Sequence, residues 1–179
     1  MEVLIPTVIS WAEERNLVRG TTIQTLALHL TAEFGKLSES IIAGADCRKY
    51  IGNTLVELII LCQKECLTLY ECIELVTRID DERVKDPFFT LMGMSTYLGQ
   101  LASDIQQKKN IKLNIGYICM YLTILGKNIN SPIKECLSIS FNDLKERKGI
   151  LFDGNFILET DEHYAHAVRI INGRKNHRG

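Results

Sequence analysis

Apolar residues recur at three- and four-residue steps along most of the chain, and this spacing predicts a mostly helical protein. The clearest stretch predicts a long helix that is capped by Thr21 and ends near Ala43. The segment 47–64 is apolar on nearly all sides, so we expect it to lie at the centre of the core. Further helices are predicted over residues 7–16, 68–84, 87–107, 111–127, 132–147 and 162–171, with a frayed tail from 173 onwards.

The periodicity changes near the C-terminus. Residues 150–159 form two short apolar runs on either side of Asp153-Gly154-Asn155. Because Asp-Gly favours the tight two-residue loop of a β-hairpin, we expect a small hairpin after the last long helix.

An internal repeat is the most informative feature of the pattern. Residues 33–85 and 97–149 align without a gap and share 12 identities in 53 positions. The shared residues are mostly apolar or glycine, which indicates a duplicated supersecondary unit. We expect repeats over 1–86 and 87–149, packed together as one all-α domain, with 150–179 as a C-terminal hairpin and tail. A monomer would then already be a pseudo-dimer, with a homodimer as the alternative.

Composition narrows the class of partner. The 179 residues carry a net charge of −1, which predicts no strong attraction to nucleic acid or to a membrane. No apolar stretch approaches the roughly 20 residues that a membrane span needs. Glu2 stands where a secretory signal would have a basic flank, so a cytoplasmic location is expected.

The six cysteines and four histidines suggest little metal chemistry. Cys62 and Cys66 are helical neighbours, but buried free thiols are the simpler interpretation. His163 and His166 are three residues apart beside two acidic residues, a spacing that suits either a metal-binding face or a solvated helix. We favour the solvated helix.

Five segments together resemble the MazG-like all-α nucleoside triphosphate pyrophosphohydrolases: 11–16, 30–41, 51–58, 135–149 and 152–159. The resemblance implies an all-α bundle and hydrolysis of an α–β phosphate bond with Mg²⁺. Enzymes of this family hold Mg²⁺ with a Glu-x-x-Glu pair on one helix and a Glu-x-x-Asp pair on the next. Such pairs suit the hard oxygen ligands and octahedral geometry of the ion.

The resemblance places different residues at those four positions. They are Glu33, Lys36, Tyr50 and Asn53 in the first repeat, and Tyr97, Gln100, Asn114 and Tyr117 in the second. Glu33 is therefore the one surviving metal ligand, and the Lys36 ammonium would repel Mg²⁺. Glu39 and Glu57 are the candidates for a rearranged catalytic site.

The basic motif that contacts the nucleotide in this family is better preserved. Asn142, Lys145 and Arg147 match its Asn-x-x-Lys pattern and the following Arg. With Lys36 and Asn53 they are the candidate ligand-binding residues. The alternative is a solvated helix end, where basic side chains favour the helix dipole.

These observations predict a catalytically degenerate MazG-like protein that acts by binding a nucleotide or a protein partner, without a cofactor. One alternative is an active NTP or dNTP pyrophosphohydrolase with a rearranged Mg²⁺ site. Another is a phage inhibitor of a host protein, because small MazG-like proteins with such a tail are common in bacteriophages.

Overall fold

The computed structural model describes residues 1–176 and is a bundle of α-helices with one two-stranded sheet. The helices are α1 (Leu4–Glu14), α2 (Ile23–Ile42), α3 (Arg48–Lys64), α4 (Leu69–Glu74), α5 (Pro87–Gln106), α6 (Lys112–Asn128), α7 (Ile133–Lys145) and α8 (Tyr164–Asn176). The strands are β1 (Gly149–Phe152) and β2 (Asn155–Leu158), and a turn of 3-10 helix covers Glu82–Lys85. The predicted all-α class is confirmed.

Helices in the two halves of the bundle match at the spacing of the sequence repeat. α2 and α5 begin and end 64 positions apart, as do α3 and α6, and α4 and α7 begin 64 positions apart. The connecting loops match too. Gly44 (φ 63°) and Lys108 (φ 54°) are left-handed after α2 and α5, and Cys66 (φ 56°) and Asn130 (φ 56°) are left-handed after α3 and α6. We call α2–α4 the first unit and α5–α7 the second unit.

The two units exchange their third helices. α3 packs against α2 of its own unit and against α7 of the second unit, while α6 packs against α5 and α4. Glycines allow the close approach, since a Cβ on Gly52 would lie 2.1 Å from the Cys136 carbonyl oxygen, and one on Gly116 would lie 2.2 Å from that of Cys72. α3 and α6 consequently lie at the centre of one continuous hydrophobic core, as the sequence predicts for 47–64.

Several predicted boundaries are wrong. Thr22, not Thr21, caps α2, and its hydroxyl accepts a hydrogen bond from Thr25 N. The helix predicted over 68–84 stops at Glu74, because the following residues are largely exposed and include the β-branched Val76, Thr77 and Ile79, which have lower helix propensity. Residues 173–176 belong to α8 rather than to a frayed tail, and 177–179 lie outside the described residues.

The predicted hairpin is confirmed. β1 and β2 pair antiparallel from Gly149–Leu158 to Phe152–Asn155. Asp153 (φ 46°) and Gly154 (φ 82°) form the turn, and both adopt the positive φ that a type I′ loop requires. α8 covers this hairpin and forms a small second core with it.

Candidate functional site

Three of the four residues that the resemblance places at metal-ligand positions in the first unit meet between α2 and α3. Lys36 Nζ lies 2.6 Å from Glu33 Oε1, and Asn53 Nδ2 donates a 2.8 Å hydrogen bond to Glu33 Oε2. Ser140, on α7, donates a 2.6 Å hydrogen bond to Asn53 Oδ1. These four side chains are the Glu33 cluster. Tyr50, at the fourth position, packs against the hydrophobic core instead.

The Glu33 cluster does not fit a divalent cation. Each oxygen of the Glu33 carboxylate already accepts a hydrogen bond, one from an ammonium and one from an amide. Mg²⁺ prefers several oxygen ligands, and carboxylates supply most of the negative charge at such sites. Here the Lys36 ammonium lies against Glu33, at the position where the cation would bind. The donor set therefore disagrees with the metal site of the resembled family.

Glu57 follows Asn53 by one turn of α3, and its side chain is 21% exposed. Its Oε2 lies 3.8 Å from His29 Nδ1. The pKa of Glu57 is raised from 4.5 to about 7, chiefly by burial and further by the nearby Glu33 carboxylate, while the Lys36 ammonium opposes the shift. A carboxyl group that changes charge near neutral pH often marks a functional site.

Glu57 and His29 open into a cavity of about 300 Å³ that we call the Trp11 cavity. α1, α2 and α3 form its walls together with the end of α7 and the hairpin. The lining residues are Trp11, Leu17, Thr21, Leu26, His29, Val56, Glu57, Ile60, Leu144, Arg147, Leu151, Gly154 and Phe156. Most are apolar, with a few polar groups among them, which is the usual composition of a small-molecule site.

Three polar atoms in the lining residues have no hydrogen-bond partner. They are Trp11 Nε1, Thr21 Oγ1 and Glu57 Oε2, and no other shielded side-chain nitrogen or oxygen lacks one among the buried and half-buried residues of 1–174. Each unsatisfied buried polar group costs about 1–3 kcal/mol. All three atoms belong to residues that line the Trp11 cavity, and all three are shielded from solvent, so the cost is concentrated in this part of the bundle.

Trp11 is held in place by its neighbours. Its ring meets the Phe141 ring edge-on at 5.9 Å, and the Arg15 guanidinium lies 5.1 Å from its centre. Arg15 in turn donates hydrogen bonds to the carbonyls of Arg147 (3.1 Å) and Lys145 (3.4 Å). These contacts fasten α1 to the end of α7 and fix one wall of the cavity.

The other predicted ligand-binding and catalytic residues separate into two groups. Arg147 lines the Trp11 cavity, and its side chain is exposed at the rim. Lys145 and Asn142 are exposed on α7 and do not line the cavity, although the Lys145 carbonyl accepts a hydrogen bond from Arg15. Glu39 is exposed on α2, outside both the cavity lining and the Glu33 cluster.

The second unit has aromatic side chains where the first unit has its polar site. Tyr97, Tyr117 and Tyr121 occur 64 positions after Glu33, Asn53 and Glu57. The rings of Tyr97 and Tyr117 stack at 4.2 Å, and Tyr121 lies 6.1 Å from Tyr97. Gly93 replaces His29, and a Cβ there would lie 2.4 Å from Tyr121 Cζ. Tyrosine rings thus occupy the second unit's equivalent of the polar site.

The remaining sequence candidates do not form a site. Among residues 1–176, no three His, Cys, Asp or Glu side chains cluster as a metal site would require, and His163 Nε2 lies 3.7 Å from Glu162 Oε1. Cys62 is buried, and Cys66 is exposed. None of the helices in the described part of the chain is both long and apolar enough to cross a membrane.

Sequence reasoning missed Trp11, Thr21, His29 and the hairpin residues of the cavity. One signal was available, because Glu57 is the single charged residue within the apolar run 55–62. Comparisons with protein-family models, with curated proteins and with solved structures found no match.

Proposed function

We propose that the chain is a catalytically degenerate relative of the MazG-like pyrophosphohydrolases that binds a nucleotide without cleaving it. The observation that carries the proposal is the Glu33 cluster. Lys36 Nζ, 2.6 Å from Glu33, supplies in the protein itself the positive charge that an enzyme of this kind takes from Mg²⁺. Phosphoryl chemistry depends on metal ions to neutralise developing charge, so a site that excludes them favours binding over hydrolysis.

The proposal includes the tandem arrangement of two MazG-like units. Matching helix bounds and matching left-handed loop residues at a spacing of 64 support it. One unit carries the polar site and the other carries stacked tyrosines. We therefore expect one nucleotide per chain, bound beside the Trp11 cavity with its phosphates near Arg147.

Nucleotides are expected to stabilise the protein without help from a metal. A thermal-shift series with NTPs and dNTPs, with and without Mg²⁺, measures this, because a ligand that binds only the folded state raises the melting temperature. Equal shifts in both conditions are expected. A shift that needs Mg²⁺ would favour the enzyme, and the absence of any shift would favour a protein partner.

Arg147→Ala is expected to weaken nucleotide binding roughly tenfold or more, because a charge-assisted bond to phosphate contributes about 1.5–3 kcal/mol. Arg83→Ala is the matched control. Arg83 occurs 64 positions earlier and lies 4.5 Å over the Phe89 ring, away from the Trp11 cavity. Calorimetric titration measures the nucleotide affinity of both variants. Equal affinities would show that Arg147 does not contact the nucleotide.

Pyrophosphate release from any common NTP or dNTP is expected to be absent with Mg²⁺ present. The triple variant Lys36→Glu, Tyr50→Glu, Asn53→Asp restores the four acidic ligands of the resembled family and is expected to bind Mg²⁺ measurably in a titration. The unchanged chain is the control. Wild-type turnover that disappears in Glu39→Ala or Glu57→Ala would overturn the degenerate-site proposal.

A further inference from the structure

Strand β2 has an outer edge with which no other strand of the described chain pairs. Its inner edge pairs with β1, and β1 is itself covered on its far side by α1 and the residues that follow it. There the Leu151 N–H donates to the Arg15 carbonyl (2.9 Å), and the Leu151 carbonyl accepts from Asn16 Nδ2 (2.9 Å). Phe156 stands opposite Leu151, so its own N–H and C=O point away from β1. Among residues 1–174, neither group of Phe156 has a hydrogen-bond partner.

This outer edge also carries exposed apolar side chains. Phe156 and Leu158 share one face of the hairpin, because side chains alternate along a strand, and they are 39% and 52% exposed. α8 packs on the other face, against Ile150 and Ile157. The Leu158 N–H points outward as well, while its carbonyl accepts a hydrogen bond from the Asp161 N–H (3.0 Å). We call the outward backbone groups and side chains of Phe156 and Leu158 the β2 edge.

The geometry of the β2 edge defines the strand that would complete it. Unpaired edges accept a strand from another chain, with affinity from backbone hydrogen bonds and specificity from alternate side chains. In antiparallel pairing, the residue opposite Phe156 bonds both of its free groups. It lies on the same face as the Phe156 ring, which lines the Trp11 cavity. Side chains directly opposite each other lie close together, so apolar residues are favoured opposite Phe156 and Leu158.

The charge around the β2 edge restricts the strand further. Residues 153–162 include no Lys or Arg and carry four exposed acidic side chains, those of Asp153, Glu159, Asp161 and Glu162. Arg174 lies 3.6 Å from Asp153, and Lys148 is joined to Glu159 through their backbones on the side of β1. The outward side of β2 therefore keeps a surplus of negative charge. An antiparallel strand that covers Phe156 and Leu158 continues opposite Asp153 at one end and Glu159 at the other, where basic residues are favoured.

A second copy of the chain fits this edge poorly. The twofold antiparallel pairing that satisfies both free groups of Phe156 places Phe156 opposite itself, so Asp153 of each copy faces Glu159 of the other. Like charges directly opposite each other destabilise a sheet. We propose that the β2 edge binds an extended segment of a partner protein, with apolar residues opposite Phe156 and Leu158 and a basic residue beyond each end. The proposal does not rest on nucleotide binding.

A synthetic peptide, Lys-Val-Thr-Val-Thr-Thr-Lys with both ends blocked, has this pattern and is the probe. In the antiparallel register its two valines stand opposite Leu158 and Phe156, and its lysines stand opposite Glu159 and Asp153. In a titration followed by amide NMR shifts, we expect saturable binding to the wild-type chain with the largest shifts at residues 155–159. Replacing both lysines of the peptide with glutamate is expected to weaken binding roughly tenfold. N-methylation of the second valine removes the donor to the Phe156 carbonyl and is expected to weaken binding roughly five- to tenfold.

Variants of the protein test the same contacts from the other side. Phe156→Pro removes the outward N–H without touching the bonds to β1, and it is expected to weaken binding of the lysine peptide at least tenfold. Phe156→Val keeps the N–H and an apolar side chain and should bind within about threefold of the wild type. Glu159→Gln should weaken binding roughly two- to threefold, with Glu65→Gln, exposed after α3, as the unchanged control. Circular dichroism checks that each variant is folded.

The wild-type chain alone is enough to overturn the proposal. It falls if the lysine peptide does not bind at millimolar concentration, or if the N-methylated and glutamate peptides bind as well as the lysine peptide. Sedimentation gives a further check, because a wild-type dimer that dissociates in Phe156→Pro would assign the β2 edge to a second copy and overturn the proposal of a basic partner.

Discussion

Replacing Gly52 with alanine is expected to lower the free energy of unfolding by about 3 kcal/mol or more. The added Cβ would lie 2.1 Å from the Cys136 carbonyl oxygen and 2.5 Å from Ser140 Cβ. The oxygen belongs to the backbone of α7, so relief requires α3 and α7 to separate along their contact. Such overpacking typically costs 1–3 kcal/mol, more when no flexible side chain can yield. Gly116→Ala is expected to behave alike, with 2.2 Å to the Cys72 carbonyl oxygen.

Gly35→Ala and Gly99→Ala are the matched controls for these substitutions. Both glycines lie inside helices with nothing within 4 Å of an added Cβ. Alanine there should stabilise the protein by roughly 0.5–1 kcal/mol, because glycine loses more backbone entropy in a helix. Urea denaturation of the four variants gives the comparison. Equal stabilities for Gly52→Ala and Gly35→Ala would show that α3 and α7 are not in close contact.

The sequence predicts the helices better than it predicts their partners. Apolar periodicity places α2, α3, α5, α6 and α7 within a few residues of their observed bounds. The repeat also pairs Gly52 with Gly116. It contains no sign that α7 packs on α3 and α4 on α6, because an apolar helix face fits several partners equally well. The exchange of α4 and α7 between the units depends on which backbone carbonyl group packs against each glycine. That contact exists only in the folded chain.

The candidate site is likewise predicted only in part by the sequence. The proximity of Glu33, Lys36 and Asn53 follows from three-residue spacing on adjacent helices, and the family resemblance anticipates it. Trp11 and Thr21 come from segments far from Glu57 in sequence, and their unpaired atoms are visible only when every neighbour is placed. Thr21 illustrates the limit, since the sequence assigns it to helix capping while Thr22 takes that role.

Glu57→Gln is expected to raise the free energy of unfolding at pH 8 by up to about 3 kcal/mol. The pKa of Glu57 is about 7 in the folded chain against an ordinary 4.5, and each unit of difference corresponds to about 1.4 kcal/mol. Between these values the folded state binds more protons than the unfolded state. Wild-type stability therefore falls as pH rises from 4.5 to 7, and the loss remains above pH 7.

Urea denaturation at pH 5 and pH 8 measures this linkage. The wild type should lose stability over that interval relative to Glu57→Gln, in which the titrating group is gone. Glu39→Gln is the control, because Glu39 is exposed and its replacement should change stability by less than about 0.5 kcal/mol. Identical pH dependence in wild type and Glu57→Gln would mean that Glu57 titrates as an ordinary surface carboxyl.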